Sequence, residues 1–181
     1  MVILGIWHGV NAAPTATING INCYIIRLNE FSIGYANVPH DNTATITVTA
    51  ASSLTKAVSV FIAYPQSPIP LDFVTASANT TTNANAANIK TQAGGCIIYS
   101  GGQNATLGAF TTTWNGPNGD PVNESVDAQL EAGSYTSGFI NITRSNDLGD
   151  LNMAETVSGT KRLITVSFGP PLALTNIFRL A

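Results

Sequence analysis

The residues able to do acid–base or nucleophilic chemistry are few in this chain, and they are scattered. There are two histidines, His8 and His40, and ten carboxylates among 181 residues. A glycosidase needs two carboxylates poised across one bond. Here all ten fall in expected loops, strand ends or turns, with no pair in an apolar pocket. No G-x-S-x-G elbow, H-E-x-x-H pair, Walker A loop or paired C-x-x-C occurs. A Ser-His-Asp set would have to be assembled from distant residues. The expectation is a chain with no catalytic residues and no cofactor. A polysaccharide-degrading enzyme is the least favoured reading.

Two loops carry oxygen ligands at dense spacing. One holds Asn115, Asn118, Asp120, Asn123 and Glu124; the other holds Asn146, Asp147, Asp150, Asn152 and Glu155. Calcium takes six to eight such oxygens. Neither loop has EF-hand spacing, and Asn and Asp also serve ordinary turns by bonding their own backbone. No metal site is assigned. Trp114 and Tyr99 are of the type that stacks on a sugar face, but both also read as core residues of strands. The sequons at Asn79, Asn104, Asn123 and Asn141 are what a chain rich in Asn and Thr produces by chance.

The elements that must position these residues are strands. Only 9% of the chain is charged, about a third of the usual share. In place of charge stand 22 Thr and 18 Asn, set between short runs of Val, Ile, Ala and Phe. Thr fits a pleated, half-buried surface, and Asn and Gly supply turns. No stretch has the apolar period of an amphipathic helix. The Asn19-Gly20 pair between Thr15–Ile18 and Ile21–Arg27 is a strong hairpin signal. Val2–Val10 reads as a buried strand and Glu30–Ala36 as another. Thr43–Ala50 alternates, with Ala44, Ile46, Val48 and Ala50 expected inward; Ala57–Tyr64 puts Val58, Val60 and Ile62 on one face. Leu71–Ala78, Gly95–Tyr99, Ala109–Trp114, Ser134–Ile142 and Lys161–Phe168 complete the set. Asn79–Asn88 and Arg144–Glu155 read as loops, Val126–Leu130 as a single helical turn, and Lys161–Arg162 as a solvated start to the last strand. About ten strands with turn signals at regular spacing is the pattern of an all-β protein, an Ig-like or jelly-roll antiparallel β-sandwich of two sheets.

The formal net charge is -3 and the seven basic residues are dispersed, which argues against nucleic acid as a partner. No run approaches the length of a membrane span. The first ten residues lack the cationic start of a signal peptide, so assembly in a cytoplasm is expected. On that ground Cys23 and Cys96 are expected as free thiols, with an inter-sheet disulfide as the alternative.

The division expected is a sandwich over residues 1–168 and an arm over 169–181. Gly169-Pro170-Pro171 should stop the last strand, and Leu172, Leu174, Ile177, Phe178 and Leu180 are too apolar for a free tail. The arm either folds over its own sandwich or docks on a neighbouring subunit as an interface. A homo-oligomer follows from the second choice.

The order of these motifs resembles a loose family of phage-encoded proteins, also found in prophages and gene transfer agents. Thr15-Ala-Thr-Ile-Asn-Gly-Ile21 is similar to the family's T-x-x-I-G-G-V hairpin opening, with Asn19 where the family tends to have Gly. Ser32–Pro39, Thr43–Val48 and Ala57–Tyr64 resemble its next elements, Ala93–Ile98 its later "aGG" strand, Thr113–Gly116 its T-W-T-G, and Leu163–Phe168 its closing strand. The likeness runs from about residue 2 to 168. It implies a virion structural protein: capsid decoration, head fibre or tail component, bound to other capsid or tail proteins. It carries over no catalytic residue. A carbohydrate-binding or adhesion module facing a host surface glycan is the alternative.

Overall fold

The computed structural model describes residues 1–9, 11–39, 43–51, 56–103, 112–130, 133–144 and 148–171. Every regular element among them is a strand, apart from one 3-10 turn at Pro117–Gly119. The expected all-β antiparallel sandwich is present. It is built from three sheets, because a small third sheet covers a face that two sheets would leave bare.

The middle sheet is centred on β1 (Val2–Trp7). Its order is β4 (Tyr24–Leu28), β5 (Phe31–Ala36), β1, β7 (Ala57–Ile62). All six residues of β1 are buried, so both faces of this strand are covered. That explains its unbroken apolar run. Met1, Ile3 and Trp7 join a core with the large sheet, while Val2, Leu4 and Ile6 pack on the small sheet. The small sheet has the order β3 (Ile21–Asn22), β2 (Thr15–Ile18), β6 (Ile46–Thr49). Asn19 and Gly20 both have positive φ, 51° and 79°, as a type I′ turn requires. Asn19 is further fixed by Thr45, whose backbone N–H donates to Oδ1 at 2.7 Å. In β6 Ile46 and Val48 are half-buried and Thr47 and Thr49 exposed, as the alternation predicts; Ala44 lies outside the strand and is exposed.

The large sheet has the order β10 (Thr112–Asn115), β13 (Gly149–Phe168), β9 (Cys96–Gln103), β12 (Gly133–Asn141), β11 (Val122–Leu130). A sixth strand, β8 (Asp72–Ile89), pairs along the length of β13. Eighteen residues of straight strand would span about 60 Å. Yet the Lys90 backbone N–H donates to Asp72 Oδ2 at 3.1 Å. The β8–β13 ribbon is therefore doubled over. β13 loses register with β8 between Ala154 and Lys161. Its two halves then have different neighbours: Lys161–Phe168 pairs with β9, and Asn152–Glu155 with β10. Doubling makes a second core in which Ala84, Ala86, Leu151 and Met153 join Ile97, Tyr99 and Ile140.

Four expectations are corrected here. Asn79–Asn88 is not a loop but part of β8: Ala84, Ala86 and Ile89 are buried while Asn83 and Asn85 face out. Asn and Ala are poor strand formers, and pairing with β13 outweighs that. Arg144–Glu155 is strand from Gly149 onward, with Leu151 and Met153 inward. Val126–Leu130 is strand rather than a helical turn, because it pairs with Gly133–Ser137 across the β11–β12 hairpin. Lys161 is not solvated. It is fully buried against Glu155, Nζ to Oε2 2.9 Å.

Candidate functional site

The chemistry-bearing residues are placed in structural contacts. His8 is buried at the end of β1, its Nε2 3.1 Å from Ser32 Oγ. His40 lies outside the described residues, so no pairing of the two histidines is drawn. Asp120 accepts from the Thr143 hydroxyl. Glu124 accepts from Thr136 Oγ1 at 2.7 Å, and Asp150 accepts from the Asn88 backbone N–H at 2.9 Å. Glu155 takes Ser134 Oγ at 2.8 Å as well as Lys161. Asn146 and Asp147 lie outside the described residues. Among the described residues no group of three His, Cys, Asp or Glu side chains could hold a metal ion.

Between the middle and large sheets lies a buried hydroxyl cluster. Tyr135 Oη donates to Ser59 Oγ at 3.1 Å, and Ser59 and Ser137 share a hydrogen bond of 2.6 Å. Burial raises the Tyr135 phenol above its ordinary value, and hydrogen bonds with the nearby serines partly offset this. The arrangement ties β7 to β12 across the core and leaves the hydroxyls protonated. Tyr99 is fully buried, so it offers no face to a sugar; the Trp114 side chain lies outside the described residues. Cys23 and Cys96 are both free and pack against different cores. Burial pushes the Cys96 thiol up to about 11.

Among the described residues, the feature left open is the edge of β7. It is the outermost strand of the middle sheet on its side. Met1 and Ala63 exchange both backbone hydrogen bonds, 3.0 and 3.1 Å. By the alternation of a strand, Phe61 and Ser59 also face β1, and the N–H and C=O groups of Val58, Val60 and Ile62 point away from the sheet. Their side chains share the face opposite Phe61 and are 39, 51 and 67% exposed. Beside this edge lies a cavity of about 480 Å³ lined by Val60, Ile62, Tyr64, Cys96, Ile98 and Phe139. Its floor is the large sheet. The cavity opens at the C-terminal end of β7, over β9 and β12, with Ser125 of β11 at its margin. An edge strand with no charge, no proline and an exposed apolar face is a template for another strand.

Sequence reasoning located the docking surface on Leu172, Leu174, Ile177, Phe178 and Leu180, all outside the described residues. It did not find the slot. The available signal was Ala57–Tyr64, eight uncharged residues between Lys56 and Pro65, which a covered strand would share. No family model, curated protein or solved structure matches this chain. Fold and site together define a class only: an all-β sandwich that, among the described residues, leaves the apolar edge of β7 without a neighbouring strand.

Proposed function

We propose that the chain is a non-enzymatic structural subunit of a phage-type particle. In this reading it is a capsid decoration, head-fibre or tail component, assembled in the host cytoplasm with copies of itself and with other particle proteins. The observation that carries the reading is the uncharged open edge of β7 above its apolar slot. Monomers rarely leave such surfaces uncovered. A surface of hydroxyls and amides, with little charge to desolvate, supports close packing against neighbours. The test is antibody labelling and electron microscopy of particles from cells that express the chain. Label at a fixed, repeated position is expected. Particles free of label would contradict the reading.

A glycan-binding role is favoured by one separate observation. Tyr24 is 73% exposed and stacks on Tyr35 at 5.6 Å. Together with Asn37, Pro68 and Ile69 the pair lines a cavity of about 360 Å³. An apolar ring face beside an amide suits a sugar. Titration with host-surface oligosaccharides decides it: saturable binding abolished by Tyr24→Ala supports this reading, and no binding removes it.

A further inference from the structure

The slot beside β7 is matched by a segment of the same chain. Ten residues, Leu172–Ala181, follow Pro171, and Pro171 lines the mouth of the slot. Ten residues of strand reach about 33 Å, more than the six-residue length of β7 requires. Written as a strand, the segment places Leu172, Leu174, Asn176, Phe178 and Leu180 on one face, apolar but for Asn176. That face matches an apolar floor. Ile177, on the other face with Ala173, Thr175 and Arg179, would continue the exposed row of Val58, Val60 and Ile62.

The direction of the chain decides whose slot is filled. β7 and β13 both run towards the end where Tyr64, Gly95 and Pro171 meet. To enter its own slot, the chain must reverse. Gly169 and Pro170 each precede a proline, which holds both extended. The chain makes no turn from Gly169 to Pro171, and Pro170 O accepts from the Gln66 backbone N–H at 2.9 Å. Gly169–Pro171 thus reach the mouth of the slot without reversing.

From this we infer that residues 172–181 of one copy add to β7 of a second copy as the fifth strand of its middle sheet, with Leu174, Phe178 and Leu180 in the slot. Backbone pairing with Val58, Val60 and Ile62 gives affinity, and the apolar floor sets the register. This rests on the reading of the chain as an assembling subunit, and it names the surface that does the assembling.

Two full-length variants test it, Ile62→Cys in one chain and Leu174→Cys in another, each with Cys23→Ala and Cys96→Ala. They are mixed and treated with a short bis-maleimide. A linked pair of one chain of each kind is expected. In a chain carrying both new cysteines, linkage confined within single chains would show that each arm fills its own slot and would overturn the inference. In the unmodified chain, Cys96 should react with a maleimide about tenfold more slowly than in a chain stopped after Pro171, since a bound strand shields it in proportion to occupancy. Cys23, outside the slot, is the control. Val60→Lys, at an exposed position, should keep a cooperative thermal transition and lose association. Chains that associate without the crosslink and without Cys96 protection would sink the slot assignment and leave the assembly reading standing. Chains that stay monomeric would sink both.

Discussion

Lys161 Nζ stands 2.9 Å from Glu155 Oε2, with both side chains sealed from solvent. Nζ also donates to the Val157 carbonyl at 2.6 Å, and Ser134 Oγ donates to Glu155 Oε1 at 2.8 Å. Residues 155 to 161 are where β13 loses register with β8 and doubles over. The ion pair therefore clamps the turn of the ribbon against β12. Removing one partner strands a buried charge. Lys161→Ala and Glu155→Ala should each cost about 3–5 kcal/mol, whereas Glu155→Leu with Lys161→Met should be close to neutral. Urea unfolding of the three variants checks this; single variants as stable as the parent would show that the clamp is not needed.

Alkali should loosen the fold through buried acids. Burial raises the Cys96 thiol from its ordinary 9.0 to about 11. It raises the Tyr99 phenol too, helped by the negative Glu124 and Asp127, and the Tyr135 phenol. A group raised in the folded state favours folding fully below its unfolded value. That contribution is lost as pH rises through the folded value. For Cys96 the window is about pH 9 to 11 and the loss at most about 2–3 kcal/mol. Denaturation midpoints across this range should fall in the native chain and fall less in Cys96→Ala. Parallel curves would mean the thiol is not held neutral by its site.

Gly138 lies where two groups converge. A methyl added there would overlap the Asn123 carbonyl and the Tyr99 ring hydroxyl. Tyr99 is fully buried and has no free direction to move. Gly138→Ala should cost about 1–3 kcal/mol or more, as overpacking does. Pairing it with Tyr99→Phe should recover part of the loss. If thermal melting shows no recovery, the overlaps with the Asn123 carbonyl and with the ring carbon Cζ, which Phe keeps, set the cost.

Gly20 presents the opposite situation. Its φ is 79° and nothing lies within 4 Å of an added Cβ. Any loss in Gly20→Ala is then due to backbone conformation alone, about 1–2 kcal/mol. Calorimetry of this variant measures the turn's contribution without a packing term.

The contrast between particular segments explains what could be seen in advance. Ile18-Asn19-Gly20-Ile21 announced its hairpin because only a few residues tolerate two positive φ values in succession. β1 was legible as a dense apolar run. Asn83-Ala84-Asn85-Ala86 was not, since its alternation is between Asn and Ala, neither a strand former, and its support comes from Leu151 and Met153 across the doubled ribbon. Leu151 to Glu155 was hidden by the Asp and Asn around it for the same reason. Lys161 was misplaced because a lone Lys carries no mark of a partner six residues away in a bent strand. The slot escaped because an apolar edge strand and an apolar core strand look alike until the sheet order is known.

Association through the edge of β7 is the central expectation. Sedimentation velocity of the full chain beside a chain stopped after Pro171, over a wide concentration range, addresses it most directly. The full chain should sediment as an oligomer, and the shortened chain as a folded monomer with an unchanged circular-dichroism spectrum. A full chain that remains monomeric at every concentration, or a shortened chain that keeps the same oligomer, would contradict the account.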